Sequence, residues 1–561
     1  MILGLDVGGT QTDAVILSDG KVLTANKTDT GEDLLETLRI SIGKSLEGVN
    51  PAEITRMSFS TTLATNAIVQ DTLDPTGMIV SAGPGMRPEW WEVGPSYHVV
   101  EGCVDHQGFE ALPLDGASVV KAASIIKSGG ISTVGVVGKF SVRNPLHEIQ
   151  IAGIIKDQFS HVALGHRVSG ILNFPRRINT TYLNAALHRI QNGFVTALSQ
   201  SLDERGLTVP RYLLKPDGGT TSLRNSCNYP AIAAQSGPAA SVIGALALDG
   251  CSGTTLILDV GGTTTDMAVV EDGVPFLETL GIRLGPYKTL VRSLLTHSVG
   301  IGGDSELRLG KKGDIRIGPM RVGRPRAFGG PAPTPTDAMI CLGLLDVGRR
   351  ELAHDAMQEF ALSMPGGSEA GVAPGAKEMS VSVLEKMGET IALSARAFIH
   401  ELNSRPVYTI YEVLHREAIE PFSAIVIGGP ALQLAPYLEK AMGIPCRVPE
   451  HYGVANAVGA AVARVTSEVT LQADTYRGTA VIPEAGIQEK IDGRFNIESA
   501  ISMAKEALRE FAARGGGEEA DCEISIAERQ VFHMIRDYSR TGQNIRVKIC
   551  ITPGIIKEWR R

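Results

Sequence analysis

The chain has 561 residues, 43% of them hydrophobic and 20% charged, and a net charge of −8. That length predicts three or four domains. The acidic balance, with no basic run, argues against nonspecific nucleic-acid binding. No charged n-region with a short apolar core opens the chain, and no apolar stretch reaches about 18 residues, so neither a signal peptide nor a membrane span is expected. Seven scattered cysteines without a CxxC spacing read as reduced packing thiols of a cytoplasmic protein.

In chain order, an apolar run from Met1 to Leu5 leads into Asp6-Val7-Gly8-Gly9-Thr10-Gln11-Thr12-Asp13, a second apolar run and Asp19-Gly20. This predicts strand, glycine turn, strand, Asp-Gly hairpin, strand. An amphipathic helix is predicted near Leu34 to Leu46. A Thr-rich segment, Ser60-Thr61-Thr62-Leu63-Ala64-Thr65-Asn66-Ala67, follows. Strand-like runs at Met78 to Val80 and Val134 to Val137 flank a Gly/Pro-rich middle, and 144–250 alternates helical and strand patterns. Residues of about 60–245 read as an insert on the first half, carrying substrate specificity.

The second half repeats the first. Asp259-Val260-Gly261-Gly262-Thr263-Thr264-Thr265-Asp266 matches the first octapeptide at seven of eight positions, 253 residues later, and Asp272-Gly273 follows at the same spacing as Asp19-Gly20. A repeat this distant is no solenoid; it predicts two similar domains. Segment 313–335 is expected to be a long ordered loop. Met387, Ile391, Ala395, Phe398 and Leu402 lie on one face of a predicted helix, with Pro406 after it. Ala424 to Ile427 is an apolar strand ending in Gly428-Gly429, then a helix-like stretch to Met442. Residues 450–461 form a small-residue helix. Beyond 466 stand a charged helix, Ile497 to Arg514, a flexible Gly515-Gly516-Gly517 and an alternating strand, Ile545 to Ile551.

The repeated turn suits phosphate. Adjacent glycines let backbone N–H groups converge without Cβ interference, and Thr10 and Thr263 add hydroxyl donors. A carboxylate just before a phosphate cradle makes sense with Mg²⁺ between them, which assigns Asp6 and Asp259 to the metal; the alternative is an Asx turn. Asp13 and Asp266 end the loops and could instead bond the turn backbone. Thr62 and Asn66, with Thr61 and Thr65, offer uncharged donors for a carbonyl or phosphoryl oxygen, or cap a turn. Gly300, Gly302 and Gly303 form a further backbone nest, beside Asp304. His147-Glu148 is either an acid/base pair or a helix start. His98, His106, His297 and His451 lack zinc spacing, and no GxSxG elbow is present. Cys103 and Cys227 read as packing residues before nucleophiles.

These motifs resemble the actin/sugar kinase/Hsp70 ATPase superfamily, with Gly428-Gly429 similar to its adenosine motif. Arg143 to Glu148, Ser236 to Ala240, Gly300 to Asp304 and Pro335-Thr336-Asp337-Ala338, in this order, narrow the resemblance to the hydantoinase/oxoprolinase family, hydantoinase A type, over residues 1 to about 465. Three departures stand out: Gln11 replaces the family's Phe, Asp304 replaces a glycine, and Arg324 to Gly330 replaces a Pro-Gly-Pro-Ala-Cys-Tyr-Gly stretch.

The resemblance implies an α/β protein of two ribonuclease-H-like ATPase lobes: a first lobe at 1–247, a second at 248–465, and a small α+β appendage at 466–561. ATP would bind at Gly8, Gly9, Thr10, Gly261, Gly262, Thr263, Gly302, Gly303, Gly428 and Gly429, with Mg²⁺ at Asp6 and Asp259. Catalysis would involve Asp6, Asp259, Thr62 and Asn66. The implied activity is ATP-dependent opening of a cyclic amide or imide, hydantoin or 5-oxoproline-like, through carbonyl O-phosphorylation. An acetone/acetophenone carboxylase-like subunit acting on a ketone is the second reading, and a nucleotide-switched binding protein the third. A B-type partner subunit is implied, or a homo-oligomer in its place.

Overall fold

In a computed structural model the chain is described at residues 1–9, 11–278, 280–311, 313–364, 374–405, 418–518, 521–536 and 538–559. Thr10 and Pro406 therefore lie outside the described residues. The chain forms two compact units. One comprises Met1–Ala240, Leu277–Ser293 and Ala460–Arg561; the other comprises Ser241–Phe276 and Leu294–Gly459.

The first unit is built on a six-stranded sheet in the order Thr220–Ser222, Arg211–Leu214, Arg56–Ser60, Ile2–Val7, Gln11–Ser18, Lys21–Asp29. Ile2–Val7 is central and buried along its whole length, which is why its sequence is an unbroken apolar run before Asp6. It pairs antiparallel with Gln11–Ser18 and parallel with Arg56–Ser60. Leu3, Leu5, Phe59 and Leu213 pack with Ile178 and Leu183 of the long helix Phe174–Asp203. The helix expected near Leu34 spans Leu34–Ser45, its N-terminus capped by the Asp33 carboxylate.

A second sheet of this unit is wholly parallel: His161–Leu164, Thr133–Gly138, Thr76–Ser81, Ser96–Val99. Its two central strands are buried throughout. A third sheet is antiparallel, with Glu468–Asp474 paired to Ser539–Ile551 and that strand to Ile524–Arg536. The charged helix expected at Ile497–Arg514 forms over that span. Its Ala504 and Leu508 pack against Ile545, Val547 and Ile549.

The second unit repeats the central arrangement. Thr254–Val260 pairs antiparallel with Thr265–Glu271 and parallel with Ser423–Ile427. Both Asp-Gly turns carry positive φ at both residues (Asp19 51°, Gly20 71°; Asp272 47°, Gly273 81°), the geometry that lets a two-residue hairpin follow strand twist. The copies differ after the hairpin. Lys21–Asp29 is one continuous strand, whereas Val274–Pro275 stops at once and Thr296–Val299 takes over the pairing with Thr265–Glu271. The predicted helical face holds: Met387, Ile391, Ala395, Phe398 and Leu402 are buried on the helix Ala376–Ser404. Segment 313–335 is loop apart from the short strand Ile315–Ile317 and one turn at Arg326–Phe328. The small-residue helix is shorter than expected, Ala455–Val462 after a turn at Tyr452–Val454.

Candidate functional site

The two glycine turns share one backbone design. Gly8 N–H donates to Gln11 O at 3.0 Å, and Gly261 N–H to Thr264 O at 2.9 Å. The bond closes each turn, and the strand register then sets Asp6 opposite Asp13 and Asp259 opposite Asp266. Each acidic pair therefore stands at the mouth of its turn. The partners differ. Asp13 Oδ1 accepts from Lys27 Nζ at 2.7 Å, and Lys27 is its cross-strand neighbour. Burial still holds the Asp13 carboxyl above its ordinary range, against the pull of Lys27. Asp266 has no lysine at the matching place. Burial pushes it up to about 6, opposed by a hydrogen bond with Ser298 and assisted by Asp259.

In the first unit, Asp6 is 8% exposed and pairs in parallel register with Ser60. The chain turns there into the helix Leu63–Val69. Thr62 and Asn66 come together on its first turn: Asn66 Nδ2 donates to Thr62 Oγ1 at 3.3 Å. Thr62 makes no side-chain cap, so the capping alternative does not account for its hydroxyl. Thr65 Oγ1 accepts from Gln235 N at 2.8 Å, and Ser60 Oγ lies 3.1 Å from Ser236 Oγ. The Ser236 stretch is thus brought beside the Thr-rich segment.

In the second unit, Ser241 Oγ donates to Asp259 Oδ2 at 2.5 Å. Gly428 ends the strand beside Asp259 with φ of 94°. Gly429 has nothing within 4 Å of its would-be side chain, and neither has Gly9 in the first turn. The loop Gly300–Ser305 is laced onto the second glycine turn. Gly303 N–H donates to Gly261 O at 3.0 Å and Asp304 N–H to Gly262 O at 2.7 Å, while Gly302 N–H donates to Ser305 Oγ at 2.8 Å. A Cβ on Gly302 would lie 2.5 Å from Thr263 N. The N–H groups of Gly303 and Asp304 therefore hold the turn's own backbone, while that of Gly302 bonds within its own loop. Asp304 pairs with Arg321 at 2.9 Å and accepts from Thr336 Oγ1 at 3.2 Å, which neutralises the charge that replaces the family's glycine.

The residues present fit Mg²⁺ and phosphate. Asp6 in the first unit and Asp259 in the second are each a hard oxygen donor, and Mg²⁺ can be held by as few as one carboxylate because it keeps several waters. Gly9 and Gly429 leave open the space a side chain would fill. Among the described residues no cluster of three or more His, Cys, Asp or Glu forms.

Sequence alone does not mark Ser241, Arg321 or Thr336 as site residues. Ser241 had one signal: it directly follows the Ser236–Ala240 stretch. Glu148 lies in the helix Leu146–Ile155 and is fully buried, bonded to Gly138 N and to His166. The adjacent pair His147-Glu148 does not act together, because His147 Nε2 faces Glu110 at 2.9 Å. Burial raises the Cys227 thiol, which disfavours a thiolate nucleophile. Among the described residues no helix is long and apolar enough to cross a membrane.

The hydantoinase/oxoprolinase family model matches residues 177–469, and the model of that family's N-terminal region matches residues 2–159. The caprolactamase subunit alpha of Pseudomonas jessenii is 25% identical over 386 residues, 62% of this chain and 55% of the relative. The acetophenone carboxylase gamma subunit of Aromatoleum aromaticum is 25% identical over 393 residues, 61% of this chain and 53% of the relative. The aligned part is thus about half the length of each of these curated relatives. The crystal structure of the ATP-dependent caprolactamase from Pseudomonas jessenii has the same mixed α/β fold, with a TM-score of 0.72 at 19% identity over 99% of this chain and 88% of that one. With its repeated acidic glycine turns and a family model covering more than half its length, the chain belongs to the hydantoinase/oxoprolinase family.

Proposed function

We propose that the chain is an ATP-dependent hydrolase that opens a cyclic amide or imide ring, hydantoin or 5-oxoproline-like, by O-phosphorylating its carbonyl. The observation that carries this reading is the repeated acidic turn, with the same closing bond and the same Asp–Asp register in both copies. Family membership and a relative named as a caprolactamase subunit support it. The finer architecture proposed is two ribonuclease-H-like ATPase lobes, at 1–247 and 248–465, with the 60–245 insert carrying specificity and 466–561 as an appendage.

Mg-ATP, when bound, supplies a transferable γ-phosphoryl group and the cation that screens it. Asp6 and Asp259 would be the carboxylates for that cation, through its waters, and Ser241 would orient the Asp259 carboxylate. The Gly8 and Gly261 N–H groups close their own turns, so the N–H groups of Gly9 and Gly262, with Thr10 and Thr263, would take phosphate oxygens, and Gly428-Gly429 would let the nucleoside lie on the backbone. Thr62 and Asn66 orient the substrate carbonyl. The carbonyl oxygen would attack phosphorus as ADP leaves; water would add to the carbon, the C–N bond would break with its nitrogen taking a proton, and a second water would attack the carbonyl carbon of the resulting acyl phosphate, so that phosphate departs with the original carbonyl oxygen. Positioning and fixed dipoles do most of this work.

A ketone carboxylase subunit is the second reading, favoured by the acetophenone carboxylase relative. Both curated relatives are named as subunits, which supports a partner chain. An ADP-release screen over lactams, hydantoins and ketones, with and without bicarbonate, tests both readings. Ring-dependent release without bicarbonate is expected; release only with a ketone and bicarbonate would replace the first reading by the second. Full turnover by the purified chain alone would refute the partner requirement.

A further inference from the structure

Within the first unit lies a cavity of about 110 Å³ whose wall contains no glycine-turn residue and neither Thr62 nor Asn66. Ile232, Leu290, Val291 and Phe511 give it an apolar side, and most of the rest is charged, hydroxyl or amide.

The carboxylates on this wall are satisfied from within the protein. Asp217, 3% exposed, accepts from Lys215 Nζ at 3.1 Å, Thr466 Oγ1 at 2.8 Å and Gly219 N at 3.1 Å. Glu468 pairs with Lys548 at 3.0 Å. Glu484 accepts from the N–H groups of Gly170 and Thr470 at 2.8 and 3.2 Å.

One of the cations, Arg167, is not. Arg292 lies 3.7 Å from Asp217 through Nε and 3.7 Å from Glu468 through Nη1, and its Nη2 donates to Ile551 O at 3.3 Å. Arg167 donates through Nε to His166 Nε2 at 3.2 Å, and no ion pair with a carboxylate forms among the described residues.

Arg167 is nevertheless fixed in place. The buried Glu148 accepts from His166 Nδ1 at 2.6 Å, which puts the His166 proton on Nδ1 and leaves Nε2 as acceptor for Arg167. The guanidinium is seated against Gly486, where a Cβ would lie 2.5 Å from both Nη atoms. A guanidinium held rigidly on a cavity wall, without an anion of its own, is a preorganised carboxylate-binding group.

We propose that this cavity binds a small carboxylate with an apolar body. Arg167 takes the carboxylate, the Tyr229 hydroxyl donates beside it, and Ile232 and Phe511 cover the hydrocarbon part. Glu148 and His166 are positioning residues for Arg167. The assignment does not depend on the ring-opening reading.

Calorimetry on the full chain with propionate, butyrate and benzoate, and with butyramide as the neutral control, tests it. One saturable site is expected for the acids and none for the amide. Arg167→Gln should weaken acid binding at least tenfold with Mg-ATP affinity unchanged. Ile232→Trp, which fills the cavity and keeps the arginines, should abolish acid binding and serves if Arg167→Gln fails to fold. No saturable binding of any acid, butyramide binding as tightly as butyrate, or butyrate affinity unchanged in either variant would overturn the proposal.

Discussion

Gly428 and Asp259 approach so closely that no side chain fits between them: a Cβ on Gly428 would lie 2.6 Å from Asp259 Oδ1 and 2.3 Å from Val260 O. With φ of 94°, the position is also one an L side chain rarely adopts. Gly429, next in the chain, has nothing within 4 Å of its would-be Cβ. The two glycines therefore serve different ends, one for protein packing and one for what approaches from outside. Gly428→Ala should destabilise the fold by about 2 kcal/mol or more, read as a lower urea midpoint. Gly429→Val should keep the wild-type midpoint and lose at least about tenfold in Mg-ATP affinity, about 1.4 kcal/mol. Wild-type ATP affinity in Gly429→Val would remove Gly428-Gly429 from the nucleotide site.

Ser241 is the second handle on Asp259. Its hydroxyl donates to Oδ2 at 2.5 Å, and a hydrogen bond to a charged group contributes about 1.5–3 kcal/mol. Ser241→Ala removes that donor and leaves the carboxylate less fixed. The Mg²⁺ concentration needed for half-maximal ATPase should rise several-fold, with ATP affinity at saturating Mg²⁺ nearly unchanged. An unaltered Mg²⁺ dependence would place Asp259 outside the metal site.

Asn66 and Thr62 face each other across the first helical turn. Removing one preorganised donor from a site of charge development typically costs about 10²–10³ in rate. Asn66→Ala should lower substrate-stimulated ATPase by that order and leave ATP binding within about twofold. Carbonyl-¹⁸O substrate should deliver its label to the released phosphate; unlabelled phosphate with turnover intact would rule out carbonyl phosphorylation.

Glu484 predicts a pH effect on stability. Burial, with Glu468 adding to it, pushes its carboxyl from the ordinary 4.5 up to about 7. Between those values the folded chain binds the proton more readily than the unfolded chain. Stability from this group is therefore full below about 4.5 and declines as pH rises toward 7. Glu484→Gln removes that decline. Its urea midpoint relative to wild type should improve from pH 5 to pH 8, by on the order of 1–3 kcal/mol in stability. A constant difference between the two proteins across that range would contradict the raised carboxyl.

The repeated turns were legible in the sequence because they are local. Their closing bonds span three residues, and the Asp6–Asp13 and Asp259–Asp266 registers follow from the hairpin itself. The 376–404 helix was legible for a similar reason, since its buried residues recur at helical spacing. The Gly302 and Gly303 N–H groups were another matter. Sequence can show that glycines permit a nest, but whether the N–H groups face a ligand, the neighbouring turn or their own loop depends on which backbone packs against them.

The pair of acidic turns, the strands that carry them and the chemistry they suit follow from local sequence alone. Their partners were set by contacts between distant elements. Identical motif positions received Lys27 at Asp13 and Ser298 at Asp266, because the strand after the first hairpin runs on while the second breaks off at Pro275. Ser241 reached Asp259, and His166 reached Glu148, across 18 residues of chain in each case. Periodicity reports which face of an element is buried; it does not report which distant element covers that face, and it is the covering element that sets a buried group's charge, proton and hydrogen-bond partner.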